Sequence, residues 1–173
     1  MEVLQTGRLR IRELDSDADA AFVCELLNTP KFLKYIGDRG VRTVDEAREF
    51  IESRYRQSYR NHGYGLYLVE VVRDQMPIGI CGFVRREALD GPDIGFAFLP
   101  EHESRGYGYE AAQAMMSYGR EVVGFDRVLA ITSLDNHASI RLLGKLGFQF
   151  ESLRDSPEGE QIRLFSYTYL RPS

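Results

Sequence analysis

Apolar and polar residues alternate or recur at helical spacing along the chain, and this pattern predicts its secondary structure. The first half opens with a partly alternating segment, which predicts a strand over residues 8–14. Apolar residues at helical spacing then predict a helix over residues 17–28, with Ser16 as its N-cap. Thr43 and Glu46 match a capping box, so a second helix is predicted to begin there.

The middle of the chain predicts a hairpin, then a third strand and an amphipathic helix. Residues 64–72 and 78–86 are mainly apolar and are separated by a polar turn, which predicts two antiparallel strands. A third strand is predicted over residues 93–99, and the proline that follows is predicted to end it. After a polar loop that contains glycines, an apolar stripe predicts a helix over residues 109–123.

The last part predicts a strand over residues 126–132, a helix over residues 136–145 and two closing strands over residues 148–153 and 162–170. Most strands are thus joined by turns, and one strand–loop–helix–strand unit is present. The fold class expected is α+β, a mixed α/β sandwich with helices flanking a mainly antiparallel sheet.

Composition excludes several classes of protein. The chain has 173 residues, of which 43% are apolar and 12% aromatic, enough for one core, so residues 1–173 are predicted to form a single domain. A net charge of −4 argues against a domain that binds nucleic acid through phosphate contacts. No apolar run approaches the length of a membrane span, so no membrane association is expected.

The cysteines and histidines add two expectations. The two cysteines form no Cys-x-x-Cys pair and the three histidines are scattered, so no metal site is expected. Isolated thiols, and an N-terminus without a signal-peptide pattern, favour a cytoplasmic protein.

The loop Arg105-Gly106-Tyr107-Gly108 carries the clearest candidate chemistry. It lies between a predicted strand and a predicted helix start, where free backbone N–H groups and the helix dipole favour an anion. Glycines allow a close approach by a phosphate or pyrophosphate. The alternative is a tight turn that needs its glycines only for backbone angles.

A dinucleotide-binding fingerprint also matches this loop. Gly106, Gly108 and Ala111 fit its spacing, and Asp126 follows at a suitable distance. That fingerprint belongs to the first parallel unit of a doubly wound sheet, whereas hairpin strands precede it in this chain. A dinucleotide-binding oxidoreductase is therefore kept only as an alternative.

Three ordered motifs resemble the GNAT superfamily of acetyl-CoA-dependent N-acetyltransferases. The loop from Arg105 to Glu110 resembles that family's Arg/Gln-x-x-Gly-x-Gly/Ala pattern, with Glu110 standing where Gly or Ala is usual. The opening Gln5–Arg12 resembles that of the RimJ/RimL-like group, the ribosomal-protein N-terminal acetyltransferases. The segment Asn136–Phe148 resembles the same group's Asn-x-x-Ser…Leu-Gly-Phe segment.

The resemblance implies a twisted, mainly antiparallel sheet whose strands splay apart at one place to admit acetyl-CoA. It also implies transfer of the acetyl group to a primary amine, on a protein N-terminus or a small molecule. The residues it assigns to the donor are Phe98, Leu99, Arg105, Gly106, Tyr107, Gly108, Tyr109, Glu110, Asn136 and Ser139. A backbone N–H near Phe98 or Leu99 would stabilise the developing oxyanion.

Catalytic side chains follow from what the transfer requires. Ser139 is predicted to protonate the leaving thiolate, with a tyrosine as the alternative. An ammonium acceptor must lose a proton, so a carboxylate, or a water that it holds, is predicted to act as base. Asp93 and Glu158 are the leading carboxylates. Further candidates for this role are Glu101, Glu103 and His102.

The acceptor pocket is predicted to involve Tyr35, Asp38, Arg39 and Tyr64, although local turn and packing roles explain each of them as well. The mild overall acidity slightly favours cationic acceptors. The resemblance also allows a homodimer. A non-catalytic acyl-CoA-binding or sensing domain of the same fold is the alternative function.

Overall fold

The strand-forming segments assemble into one eight-stranded sheet in a computed structural model, which describes residues 1–171. The strands are β1 (Glu2–Gln5), β2 (Leu9–Arg12), β3 (Leu66–Val71), β4 (Met76–Arg85), β5 (Pro92–Phe98), β6 (Arg127–Ser133), β7 (Gln149–Asp155) and β8 (Gln161–Thr168). Their order across the sheet is β1-β2-β3-β4-β5-β6-β8-β7. Neighbouring strands are antiparallel except β5 and β6, which are parallel.

Helices cover both faces of this sheet. The α-helices are α1 (Ala20–Leu27), α2 (Val44–Phe50), α3 (Gln57–His62), α4 (Tyr107–Tyr118) and α5 (His137–Leu146). A π-helical segment, Ile51–Arg56, joins α2 to α3, and similar segments are Phe32–Ile36 and Gly119–Val123. Within residues 1–171 no helix is both long and apolar enough to cross a membrane.

Each face of the sheet has its own apolar core. The buried side chains of α4 and α5 pack with Phe83 and Val128, on what we call the α4–α5 face. The buried side chains of α1 and α2 pack with Leu68 and Ile80, on the α1–α2 face. The predicted mixed α/β sandwich with a mainly antiparallel sheet is therefore confirmed. The doubly wound alternative is wrong, because the sheet has one parallel pair among antiparallel ones.

Local predictions were confirmed where the signal is a short-range hydrogen bond. The Thr43 hydroxyl accepts a hydrogen bond from the Glu46 N–H at 3.1 Å and begins α2. Ser16 does not cap α1, because its hydroxyl donates to Glu52 and α1 begins only after Asp19. The carboxylate of Asp15 instead accepts the N–H groups that precede this helix.

Two boundaries differ from those predicted. The sequence predicted no strand before residue 8, yet β1 pairs with β2 at the end of the sheet. α4 begins at Tyr107, two residues before the predicted start at 109. The second difference matters for function, because it places Gly108 inside the first helical turn.

A network of charged side chains ties the sheet to α1. Glu70 and Asp19 are only 2% and 3% exposed. The guanidinium of Arg12 donates to both carboxylate oxygens of Asp19 at 2.9 Å and to Glu70 at 3.4 Å, and Arg10 also pairs with Glu70. Such a network stabilises the fold only while each buried carboxylate keeps its partner.

We predict that Arg12→Met lowers the free energy of unfolding by about 3 kcal/mol, because it leaves a buried carboxylate uncompensated while keeping most of the apolar stem. Urea denaturation followed by circular dichroism measures this loss. Arg48→Met is the matched control, since Arg48 pairs with exposed carboxylates and its removal should change stability little. Equal stability of the two variants would contradict the prediction.

Candidate active site

A gap between β5 and β6 is the main irregularity of the sheet. Within residues 1–171 these parallel strands are paired at one register position, Asp93 opposite Leu129. Beyond it β5 continues to Phe98 and β6 to Ser133 without further pairing. We call this gap the splay. Its closed end is at Asp93, and its open end is where both strands finish.

The free backbone groups of β5 can be assigned from its other neighbour, β4. The Leu99 N–H donates to the Ile78 carbonyl at 2.9 Å, and the Leu99 carbonyl accepts the His102 N–H at 3.0 Å. Because backbone groups alternate between the two edges of a strand, those of Phe96 and Phe98 point into the splay. The prediction for Phe98 therefore agrees with this geometry. The prediction for Leu99 is corrected, because its backbone N–H and carbonyl already form hydrogen bonds within the protein.

On the other side of the splay, β6 carries polar groups that lack partners. The hydroxyl oxygens of Thr132 and Ser133 are buried and have no hydrogen-bond partner among the described residues. A buried hydroxyl without a partner costs about 1–3 kcal/mol, so it calls for an explanation. Both residues lie at the open end of the splay, where a bound polar molecule would supply partners. No motif in the sequence points to these two residues.

The loop after β5 leads into α4 with its amides free. Gly106 is the residue before the helix and has φ of +80°, a conformation that favours glycine. No side chain caps the helix, and the N–H groups of Tyr107, Gly108 and Tyr109 have no acceptor within residues 1–171. Three free amides at a helix N-terminus are the arrangement that the sequence predicted for an anion site. Arg105 lies exposed beside them.

Glu110 is not part of this anion site. Its N–H donates to the Gly106 carbonyl at 3.1 Å, and its carboxylate binds the Thr6 hydroxyl and the Arg8 guanidinium, each at 3.0 Å. The glycine pattern can also be aligned two residues earlier, which moves its first position from Arg105 to a glutamate. When the pattern starts at Glu103, its fourth and sixth positions fall on Gly106 and Gly108, at the helix start.

The first turn of α5 forms the neighbouring wall. Asn136 caps this helix, since its side-chain oxygen accepts the Ser139 N–H at 3.3 Å. The side-chain NH2 of Asn136 and the Ser139 hydroxyl have no partner among the described residues, so both are available to a ligand. Gly108 lies against this wall, because a Cβ there would be 3.6 Å from Leu142 and from Phe98.

Asp93 lies at the closed end of the splay and is 1% exposed. Both of its carboxylate oxygens accept the Arg86 Nε–H, at 3.1 and 3.2 Å. Burial raises the pKa of Asp93 to about 6, and the charge of Arg86 opposes this shift only in part. A carboxyl with such a pKa can exchange protons near neutral pH, which fits the predicted base.

The other candidates for the base lie outside β5 and β6. Glu103 forms an ion pair with Lys31, and Glu101 and His102 belong to the short 3₁₀ turn that follows β5. Glu158 is in the exposed turn between β7 and β8, where its charge acts on Arg39.

The predicted acceptor residues divide into two groups. The prediction that Tyr64 lines the acceptor pocket is wrong, because Tyr64 is buried on the α4–α5 face with its ring edge-to-face against Phe83 and Phe125. Tyr35, Asp38 and Arg39 lie in or beside the loop before α2. The carboxylate of Asp38 is bound by Arg42.

A family model described as an acetyltransferase (GNAT) domain matches residues 8–149. The chain belongs to the GNAT acetyltransferase family. It is 29% identical to the uncharacterized N-acetyltransferase p20 of Bacillus licheniformis, over 99% of this chain and 97% of that protein. It is 30% identical to the uncharacterized N-acetyltransferase YoaA of Bacillus subtilis, over 87% of this chain and 85% of that protein.

Solved structures agree on the GNAT fold. RimL, a ribosomal L7/L12 α-N-protein acetyltransferase in complex with coenzyme A, superposes with a TM-score of 0.83 at 16% identity, over 97% of this chain and 98% of that chain. The GNAT resemblance read from the sequence is confirmed, and with it an acyltransferase. RimL is also a member of the group that the sequence motifs resembled.

Groove size does not locate the GNAT site. Two surface grooves of about 730 and 400 Å³ are lined by residues outside β5 and β6. The larger lies beside β1 and α4 and includes Tyr59, Tyr67 and Tyr118. Unpaired backbone and hydroxyl groups identify the splay instead, since they are the groups that require a partner.

We predict that Gly108→Pro weakens coenzyme A binding by about 10- to 100-fold, because it removes one amide that donates to an anion. Proline is tolerated in a first helical turn, so the melting temperature should change little. Gly108→Ala is the matched control: it keeps the N–H, and its Cβ makes only ordinary contacts. Isothermal titration calorimetry measures both, and equal affinities would contradict an amide-based site.

Proposed function

We propose that this protein transfers the acetyl group of acetyl-CoA to a primary amine. The observation that carries the proposal is the splay, where β5 has free backbone groups and β6 carries two buried hydroxyls without partners among the described residues. An extended molecule that contains amides could pair with the free backbone groups of β5 as a strand does, and could supply partners to the hydroxyls of β6. RimL, which shares this fold, binds coenzyme A in its solved complex.

The residues at the open end suit the charged part of the donor. The amides of Tyr107, Gly108 and Tyr109 would hold the pyrophosphate at the α4 N-terminus, with Arg105 adding charge nearby. The backbone of Phe96 and Phe98 would pair with the amides of the pantetheine arm. The side-chain NH2 of Asn136 is free to donate to the same arm.

The transfer requires one nucleophile and three proton movements. The amine nitrogen forms a bond to the acetyl carbon, and the carbon–sulfur bond breaks. We assign Asp93, acting through a water, to accept the proton that an ammonium must lose before attack. Ser139 would protonate the departing thiolate, while the second proton of the nitrogen passes to water. A backbone N–H of β5 that faces the splay would stabilise the oxyanion.

A panel of primary amines tests this proposal directly. Each amine is incubated with acetyl-CoA, free thiol is followed with a chromogenic disulfide, and the acetylated amine is identified by mass spectrometry. We expect thiol release that depends on the amine. Binding of acetyl-CoA without turnover on any amine would overturn the proposal and favour a sensing domain.

Asp93→Asn tests the assigned base. In the wild type we expect kcat/KM to fall as the pH drops below about 6, because protonation of Asp93 removes the base. The variant should lose this acid limb and about 100-fold or more in kcat, since general-base catalysis contributes about 10²–10⁴-fold. Its affinity for coenzyme A should not change. A variant that retains the limb would exclude Asp93 as the base and return attention to Glu158.

A further inference from the structure

Three arginines from separate elements interact through their charges, and one of them, Arg86, binds Asp93 at the closed end of the splay. Arg39 lies in the loop before α2, Arg54 in the π-helical segment after α2, and Arg86 directly after β4. The charges of Arg86 and Arg54 both act on the guanidinium of Arg39. Nothing in the sequence spacing of these residues suggested that they would interact.

Two of these positive charges have no carboxylate partner. Arg86 is neutralised by Asp93, as described above. Within residues 1–171 neither Arg39 nor Arg54 forms an ion pair, and Arg54 lies 5.7 Å from the ring centre of Phe50. Asp38, the carboxylate next to Arg39 in sequence, is bound by Arg42 and by the Gly40 N–H.

The loop is built closely around Arg39. A Cβ at Gly37, which has φ of +129°, would lie 3.3 Å from the Nη1 atom of Arg39. Arg39 is exposed as a residue, and neighbouring atoms exclude only part of the water around its guanidinium. This burial, followed by the charge of Arg86, lowers the pKa of Arg39, but an arginine stays protonated at neutral pH. Anion binding at such a guanidinium is favourable, because the anion supplies the partner that the partly desolvated charge lacks.

Charge accounting indicates which anion fits. The three arginines face Asp93 and, from the turn between β7 and β8, the exposed Glu158. One positive charge therefore remains in excess at this place, although the whole chain has a net charge of −4. The planar fork of an arginine matches a carboxylate, which it can bind through two parallel hydrogen bonds.

We propose that Arg39, with Arg54 and Arg86, binds a carboxylate of the acceptor, so that the preferred substrate is an amine that also carries a carboxylate. This inference rests on the proposed acetyl transfer. Arg86 contacts Asp93, so a carboxylate on the cluster would orient the amine of the same molecule toward the assigned base and the thioester. Arg39 is thus a specificity-determining residue, and the transfer step itself is unchanged.

Matched acceptors test the proposal. One pair is a free amino acid and its carboxamide, which differ in the α-carboxylate. The other pair consists of two C-terminally amidated tripeptides, one with Glu and one with Gln at the second position, which differ in a side-chain carboxylate. We expect the acid of one pair to have a kcat/KM about 10- to 100-fold above that of its amide, as for a charge-assisted hydrogen bond. The pair that shows the preference identifies the source of the carboxylate.

Arg39→Gln should reduce this preference to less than about threefold, mainly by raising KM for the acid, since the charge-assisted bonds are lost. The kcat/KM of the variant for the amide should equal that of the wild type. Arg48→Gln is the matched control, because Arg48 is an exposed arginine of α2 with its own carboxylate partners, and it should keep the full preference. Equal use of acid and amide by the wild type, or an equal loss on both in Arg39→Gln, would overturn the proposal.

A binding measurement separates this inference from the proposed function. The protein saturated with coenzyme A is titrated with each acid and amide by calorimetry. Tighter binding of the acid, lost in Arg39→Gln, supports the carboxylate site even if no amine is acetylated. Equal binding of acid and amide overturns it, even if acetyl transfer is observed.

Discussion

The single point of pairing between β5 and β6 is the constraint on which the site depends. Each strand is held firmly on its outer side: β5 by β4 from Arg85–Pro92 to Gly79–Phe98, and β6 by β8 from Arg127–Thr168 to Ser133–Ile162. The gap between them is therefore fixed by two regular ladders and does not require a flexible sheet. A ligand that pairs with Phe96 and Phe98 meets groups already in position, so little ordering entropy opposes its binding.

The parallel direction of β5 and β6 also explains why two helix N-termini meet at the open end. Parallel strands finish at the same edge of a sheet, so the helices that follow them, α4 and α5, begin side by side. A Cβ added at Gly108 of α4 would lie 3.6 Å from Leu142 of α5, so the two helices approach closely at this junction. Both positive dipole ends thus lie where the splay opens, and anion binding is a consequence of topology as much as of the glycine motif.

Sequence reasoning succeeded where the signal is local. The hairpin of β3 and β4 and the Thr43 cap both depend on residues within a few positions of one another. It failed where an outcome depends on a distant partner. Leu99 and Phe98 look alike in sequence, and only pairing with Ile78 decides which backbone groups are free. Glu110 was misassigned because its partners, Thr6 and Arg8, lie about a hundred positions away.

Charge shows the same division between local and long-range information. The net charge of −4 describes the whole surface, whereas a substrate meets only the groups that the fold brings together. The charges of Arg54, Arg86 and Glu158, from three other segments of the chain, act on Arg39, and together with Asp93 these groups leave one positive charge in excess. The Asp93–Arg86 pair connects these arginines to the splay, so the proposed donor and acceptor sites would share one electrostatic element. Removing Arg86 would leave Asp93 as a buried, unpaired carboxyl and would raise its pKa further, so the acceptor cluster also tunes the assigned base.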